Sequence, residues 1–254
     1  MAKREPTPPI PAATVVVMRD VAGRPPEILM VERSRAMAFA GGAMVFPGGR
    51  VDPGDRALAA LLGADDDDGA GRIAAVREAI EEAGLAPGIV PAADAATVAT
   101  MRAMLHDGAT IGEVLATTRA TLDLDALVPF ARWLPLGLQH RIFDTLFYLA
   151  EHDAAAPPAT VDATENTRLV WITAAGALAE ADSGRSFVIF PTRRNLERLA
   201  LFGSFAEAAA DARAHDVRPI TPWVEDRGGI AHLCIPDDLG YPVTAQPTSA
   251  VLRA

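Results

Sequence analysis

The sequence predicts a mixed α/β fold, and three observations carry that prediction. Short β-branched and apolar runs, Thr14-Val15-Val16-Val17, Ile28-Leu29-Met30-Val31 and Met44-Val45-Phe46, crowd the first part of the chain between turn residues. The stretch from Arg72 to Ala83 carries apolar residues at helical spacing. Beyond it, strand-like runs at 127–134 and 141–150 and at Leu169-Val170-Trp171-Ile172 interleave with further helical stretches, so both element types contribute to one unit.

Taken in order, residues 1–12 are polar and Pro-rich and read as a flexible lead-in. Strands follow at 13–18, 28–31 and 44–46, the last ended by Pro47-Gly48-Gly49. Between the second and third lies a glycine-rich loop, 32–42, where Arg33 and Arg35 could wall a phosphorylated substrate or stand solvated. Residues 56–62 suit two helical turns, and Asp65-Asp66-Asp67-Asp68-Gly69 suits a solvated loop whose charge favours the start of the next helix. Val98, Met101 and Leu105, then Ile111, Val114 and Leu115, predict a helical pair within 92–126 that covers the site or a subunit interface.

Asp144 interrupts the apolar run 141–150, so it needs a buried partner or belongs to a site. Thr173 starts a short helix, Pro191 opens a second at its first turn, and 205–215 is a third. Arg193 and Arg194 near a helix start could meet an anionic ligand but read first as a solvated face. The tail, 218–225 and 230–235 around Asp226-Arg227-Gly228-Gly229, predicts a hairpin needing a cover, which suggests a homodimer contact.

At 254 residues the chain suffices for one domain with elaborations. Its formal charge of −10 opposes general nucleic-acid binding, which rests on basic patches. No apolar run is long enough to span a membrane, and the start lacks a secretory segment, so a cytoplasmic location is expected. Cys234 is single and reads as a buried bystander.

Chemistry concentrates on one helix. At about 100° per residue, Ile73, Val76, Ile80 and Ala83 share one arc while Glu78, Glu81 and Glu82 share the other. Gly84 stands where a left-handed cap belongs, and Pro87 prevents continuation. Like charges at such spacings oppose the helix by about 0.2–0.5 kcal/mol per pair. A divalent cation reverses that repulsion, and oxygen-only ligands suit Mg²⁺ or Mn²⁺ sharing a phosphate-bearing substrate. The bland alternative is a solvated acidic face.

What precedes this helix distinguishes the two. Gly49, Asp55, Arg77, Glu78, Glu81, Glu82, Gly84 and Leu85 follow a pattern that resembles the signature of the Nudix hydrolases, Gly-x5-Glu-x7-Arg-Glu-apolar-x-Glu-Glu-x-Gly-apolar. Two departures stand out: Asp55 occupies the first Glu position, and 21 residues rather than seven separate it from Arg77. Whether Asp55 or an acid of the insertion meets Arg77 is open at this level.

The resemblance implies an α/β/α sandwich around a mixed sheet over residues 13–185, with insertions near 56–71 and 92–126. Residues 186–254 then form C-terminal helices and a hairpin packed on the same unit. It implies Glu78, Glu81 and Glu82 as ligands of Mg²⁺ or Mn²⁺, Arg77 as the residue positioning a carboxylate, and Gly48-Gly49 as the turn before the helix. Arg33 and Arg35 join that turn as substrate-binding residues. A further carboxylate from outside the signature is expected, with Glu165 the first choice, and the general base is open among Glu78, Glu82 and Glu165.

The implied reaction is hydrolysis of the diphosphate in a nucleoside diphosphate derivative. The insertion, the run from Arg33 to Gly49, and Arg141 to Thr145 with Trp171 resemble the coenzyme A and acyl-CoA diphosphatase branch. ADP-ribose, dinucleotides and capped RNA are alternative substrates. A non-catalytic nucleotide sensor or binding module is the alternative from another class.

Overall fold

A computed structural model describes residues 8–34, 41–136, 142–153, 155–162 and 166–251. Arg35 and Glu165 lie outside the described residues.

The chain opens with β1 (Ile10–Val21) and β2 (Arg24–Arg33), a long hairpin turning at Gly23. β1 therefore begins before Ala13, inside the stretch expected to lead in, and β2 takes in Glu32 and Arg33, which the sequence suggested as loop. Then come β3 (Met44–Val45), β4 (Gly48–Arg50), α1 (Pro53–Leu61) and α2 (Asp67–Glu78), with a π-turn over Ala79–Ala83. Asp66 caps α2 by accepting from the Gly69 N–H at 2.7 Å, and Asp67 and Asp68 form its first turn. The aspartate run is thus a helix start rather than a free loop, placed where the helix dipole favours negative charge.

β5 (Ile89–Val90), α3 (Ala95–His106), α4 (Ile111–Thr118) and β6 (Thr121–Leu122) make up the second insertion. The remaining sheet strands are β7 (Val128–Trp133), β8 (Phe143–Glu151) and β9 (Asn166–Thr173). The chain continues through α5 (Ala174–Asp182), α6 (Phe190–Leu199), α7 (Phe205–Ala214) and β10 (Pro219–Ile220). It closes with β11 (Trp223–Arg227), β12 (Ile230–Cys234), β13 (Ala245–Pro247) and α8 (Thr248–Val251).

Among the described residues the main sheet has eight strands, with β10, β7, β8, β1, β2 and β3 in order, β4 on β1 and β9 on β2. β1 runs parallel to β8 but antiparallel to β2 and β4, so the sheet is mixed. Alternation along β1 explains the layers. Val15 and Val17 face a core shared with Ile73, Val76, Ile80, Met101 and Val114, while Val16 and Met18 face one shared with Phe130, Trp133, Leu196 and Leu199. With both faces covered, the strands read as continuous apolar runs. Each fully buried Ile or Val of α2 contributes about 1.5–3 kcal/mol through its transfer from water.

Asp144 proves to be an anchor: its carboxylate takes Arg132 on the neighbouring strand at 2.6 and 2.8 Å. Arg194 corrects the expected solvated face, since it is buried and paired with Glu197 at 2.8 Å. Cys234 is buried, as expected. β11 pairs with β12 on one side and is exposed along its whole length, Trp223 and Val224 included. Among the described residues no helix is long and apolar enough to cross a membrane.

Candidate active site

The acidic helix seats its apolar arc as its spacing requires, with Ile73, Val76, Ile80 and Ala83 all buried. Its other face is not solvated. Arg77 and Glu82 are buried as well, enclosed by the turn from Gly48 to Asp55 and by the inserted helices. Charges kept out of water need partners, and Arg77 supplies most of them. Its Nε and Nη2 donate to Asp55 at 3.1 and 3.0 Å, its Nη1 donates to Glu78 Oε1 and Glu81 Oε2 at 2.8 Å each, and its Nη2 also reaches the Arg50 carbonyl at 2.7 Å.

The partner of Arg77 is therefore Asp55, despite the intervening insertion. α1 and the start of α2 pack on each other, so the extra residues loop out between two points that remain adjacent. Asp55 is itself fixed, accepting the Asp52 N–H at 2.8 Å across the first turn of α1. Burial opposes the charge on Arg77, but the Asp55 hydrogen bond and the surrounding carboxylates outweigh it and raise its pKa.

Gly48 and Gly49 bring backbone against the acids. The Gly48 N–H donates to Glu82 Oε2 at 3.0 Å, and a Cβ on Gly49 would collide with the Glu78 carboxylate. Glu78 is pushed up to about 8, mainly by burial, with Glu82 and Glu81 adding repulsion against the pull of Arg77. Burial also raises Glu81. Asp55, Glu78 and Glu81 thus share one guanidinium with Glu82 held on the same turn, and the excess negative charge stays in the site.

The helix end is shaped for this. Its last turn is a π-turn, a feature found most often at functional sites. Gly84 closes it at φ 61°, accessible to glycine at little cost, and a side chain there would strike Thr160. Thr160 N–H donates to the Ala83 carbonyl at 2.8 Å, and Arg102 Nε, from α3, donates to the Glu81 carbonyl at 2.8 Å. The second insertion therefore clamps the acidic turn.

Of the residues singled out from sequence, the structure gathers Gly48, Gly49, Asp55, Arg77, Glu78, Glu81 and Glu82. Arg33 lies at the end of β2, opposite Asn166 of β9. Arg102 and Asn166 were not anticipated. Arg102 sits in a helix whose apolar stripe is its only pattern, and Asn166 precedes a strand without any motif. A cavity of about 380 Å³ lies on the opposite face of the sheet, lined by Met30, Glu32, Met44, Arg168, Val170 and Phe187.

No family model and no curated protein sequence matches the chain. Solved structures do. The Nudix hydrolase from Alicyclobacillus acidocaldarius is 28% identical, with a TM-score of 0.70, over 80% of this chain and 96% of that one. The MutT protein from Methanosarcina mazei Go1 is 14% identical at a TM-score of 0.44, over 78% and 96% of the two chains. The ADP-ribose-bound Nudix domain of Shewanella oneidensis NrtR is 12% identical at 0.43, over 75% and 86%. In fold and in enzyme class the chain stands with the Nudix hydrolases, which act on phosphorus anhydrides.

Proposed function

We propose that the protein is a Mg²⁺- or Mn²⁺-dependent diphosphatase of nucleoside diphosphate derivatives, with coenzyme A or acyl-CoA as the favoured substrate. The observation that carries this reading is the gathering of Glu78 and Glu81 on Arg77, with Glu82 held by the Gly48 N–H on the same turn and negative charge in excess. Among the described residues no three acids converge closely enough to hold an ion on their own. The donor set nevertheless fits a hard cation, because oxygen ligands from few carboxylates, completed by water and substrate phosphate, are what Mg²⁺ takes. Burial, with repulsion from Glu82 and Glu81 added to it, pushes Glu78 up despite Arg77.

Glu78, Glu81 and Glu82 would hold the ion, which when bound supplies Lewis-acid neutralisation of the phosphoryl oxygens and a more acidic water. The chain's own residues do the rest. Asp55 locks Arg77, and Arg77 holds Glu78 and Glu81 in place, so the acids need not reorganise as charge develops. The Gly48 N–H fixes Glu82. A carboxylate kept off the ion, Glu78, Glu82 or Glu165, would accept a proton from the attacking water. Gly48 and Gly49 let the turn close on Thr14 and on the Glu78 carboxylate, where a side chain would collide.

The coenzyme A preference is supported by the insertion within the signature. Chromatography of products from coenzyme A, acyl-CoA, ADP-ribose, NADH and capped RNA, with metal and with chelator, tests it. Metal-dependent 3′,5′-ADP from the coenzyme A members is the expected result. Turnover confined to another member would remove the coenzyme A reading, and silence throughout would remove catalysis.

A further inference from the structure

Polar atoms buried without partners mark places where something is missing, because a desolvated donor left unbonded is costly. Among the described residues, two of the three side chains in question beside the site face each other across β2 and β9. Arg33 has its Nε buried and unpartnered and makes no ion pair among the described residues; Asn166, 1% exposed, has both Nδ2 and Oδ1 unpartnered. The third is Arg102, whose Nη2 is buried without a partner although its Nε and Nη1 are held by the Glu81 carbonyl and Thr160 Oγ1.

One short segment ties these three together and to the carboxylates. Thr160 receives Arg102 and donates its own N–H to Ala83 of the acidic turn. Two residues on, Asp162 accepts the Asn166 N–H at 3.1 Å, and the charges of Asp162 and Glu82 both act on Arg102. Two guanidiniums and a carboxamide thus hold three unused donors, Arg102 on the acidic turn itself and Asn166 and Arg33 linked to it through Thr160 and Asp162. The one unused acceptor, Asn166 Oδ1, suits a hydroxyl beside an anion. Three such donors, two of them cationic, suit a phosphoryl group.

We propose that Arg33, Arg102 and Asn166 form an anion subsite that takes a phosphoryl group of the diphosphate beside the acidic turn. The assignment rests on the diphosphatase reading and adds to it a residue, Arg102, from the inserted helix. It gives that insertion a role in the site: the same arginine that clamps the π-turn reads the substrate. Hydrogen bonds from fixed guanidiniums also favour a diphosphate over a neutral ester.

The test is calorimetric titration of the full chain with methylenediphosphonate, whose bridging carbon resists hydrolysis, in Mn²⁺ and in chelator, with Mn²⁺ affinity measured separately by electron paramagnetic resonance. Asn166→Asp sets a carboxylate opposite Arg33, satisfies it internally, and so keeps the fold while filling the subsite with the wrong charge. It is expected to weaken diphosphonate binding by about tenfold or more with Mn²⁺ affinity unchanged, and Arg102→Ala, which also loosens the clamp on the acidic turn, is expected to weaken diphosphonate binding well beyond any loss of Mn²⁺. Diphosphonate binding unchanged in a folded Asn166→Asp would overturn the subsite. So would Arg102→Ala losing Mn²⁺ and diphosphonate in equal proportion, since that is the signature of a purely structural clamp. Diphosphonate held in chelator and weakened by both variants would keep the subsite even if the parent bound no Mn²⁺, so the two readings fall separately.

Discussion

Two regions of this protein bury arginines, on opposite faces of the same sheet, and they differ in how the charge is balanced. On the α6 face, Arg194 meets Glu197, Arg198 meets Asp211 at 2.7 Å, and Arg193 meets Asp182, one acid to each base. Arg198 is further stacked 4.3 Å from the Phe130 ring centre and donates to the Phe130 carbonyl. Asn195 joins the group by accepting from Trp133 and Tyr241. On the α2 face, Arg77 faces Asp55, Glu78 and Glu81 at once, with Glu82 held by backbone close by. Burial of charge is common to both. Imbalance is confined to one, and imbalance is what a cation or a substrate can relieve.

The comparison breaks if removing an acid from the unbalanced side acts like removing a base from the balanced one. Glu81→Gln deletes one charge at constant size. Turnover is expected to fall on the order of a thousandfold, the scale for deleting one fixed electrostatic group at a reacting centre, while the metal-free melting temperature holds or rises. Steady-state kinetics beside thermal melting in chelator reads both. Full activity with normal melting would remove Glu81 from the site.

Arg198→Ala should do the reverse. It strands Asp211 and empties the space between Phe130 and Tyr241. A loss of about 3 kcal/mol is expected, since breaking one half of a buried pair leaves the other uncompensated. Urea denaturation measures the loss, and kcat per folded molecule should be unchanged. A large fall in kcat at unaltered stability would mean the balanced network belongs to the chemistry after all.

pH sharpens the contrast. Glu78 is raised to about 8 in the fold against an ordinary value near 4.5, so between those limits the native state holds a proton that the unfolded chain has lost. Metal-free stability from this group is full below about 4.5 and is lost as pH climbs towards 8, by on the order of 4 to 5 kcal/mol at about 1.4 kcal/mol per pH unit. Glu81 and Glu197, also raised by burial, act in the same direction. A cation competes with these protons, so saturating Mn²⁺ should flatten or invert the slope. Denaturation midpoints at several pH values, with chelator and with Mn²⁺, give the answer; a chelator slope rising with pH would contradict the unmet charge on Glu78.

Local patterns were legible in the sequence, and long-range closures were not. The apolar arc of α2, the Gly84 cap and the Thr173 start of α5 depend on neighbours a few positions away, and each is where spacing puts it. Asp55 and Arg77 meet 22 positions apart because two helices pack, and no pattern in the insertion predicts that. The start of β1 at Ile10 is set by pairing with β8, where Ile10 lies opposite Phe143, and not by its own Pro-rich composition. Arg194 looked solvated because its sequence neighbours are polar; its burial comes from Val243 and Gln246, far along the chain. Arg102 and Asn166 declare themselves only through atoms left unbonded in three dimensions.

The smallest effect concerns the first insertion. Arg56 and Asp67 bridge its two ends at 3.1 Å, but both are well exposed, with 44% and 61% of their side-chain surface accessible. An exposed pair contributes about 0–1 kcal/mol, and Arg56→Ala should sit at the low end of that range with turnover unchanged. The position of Asp55 does not depend on that pair, because the Asp52 N–H and Arg77 both hold it from the other side. If Arg56→Ala instead lowered kcat, the insertion would be steering Asp55, and the adjacency of α1 and α2 would not suffice to complete the arginine's partner set.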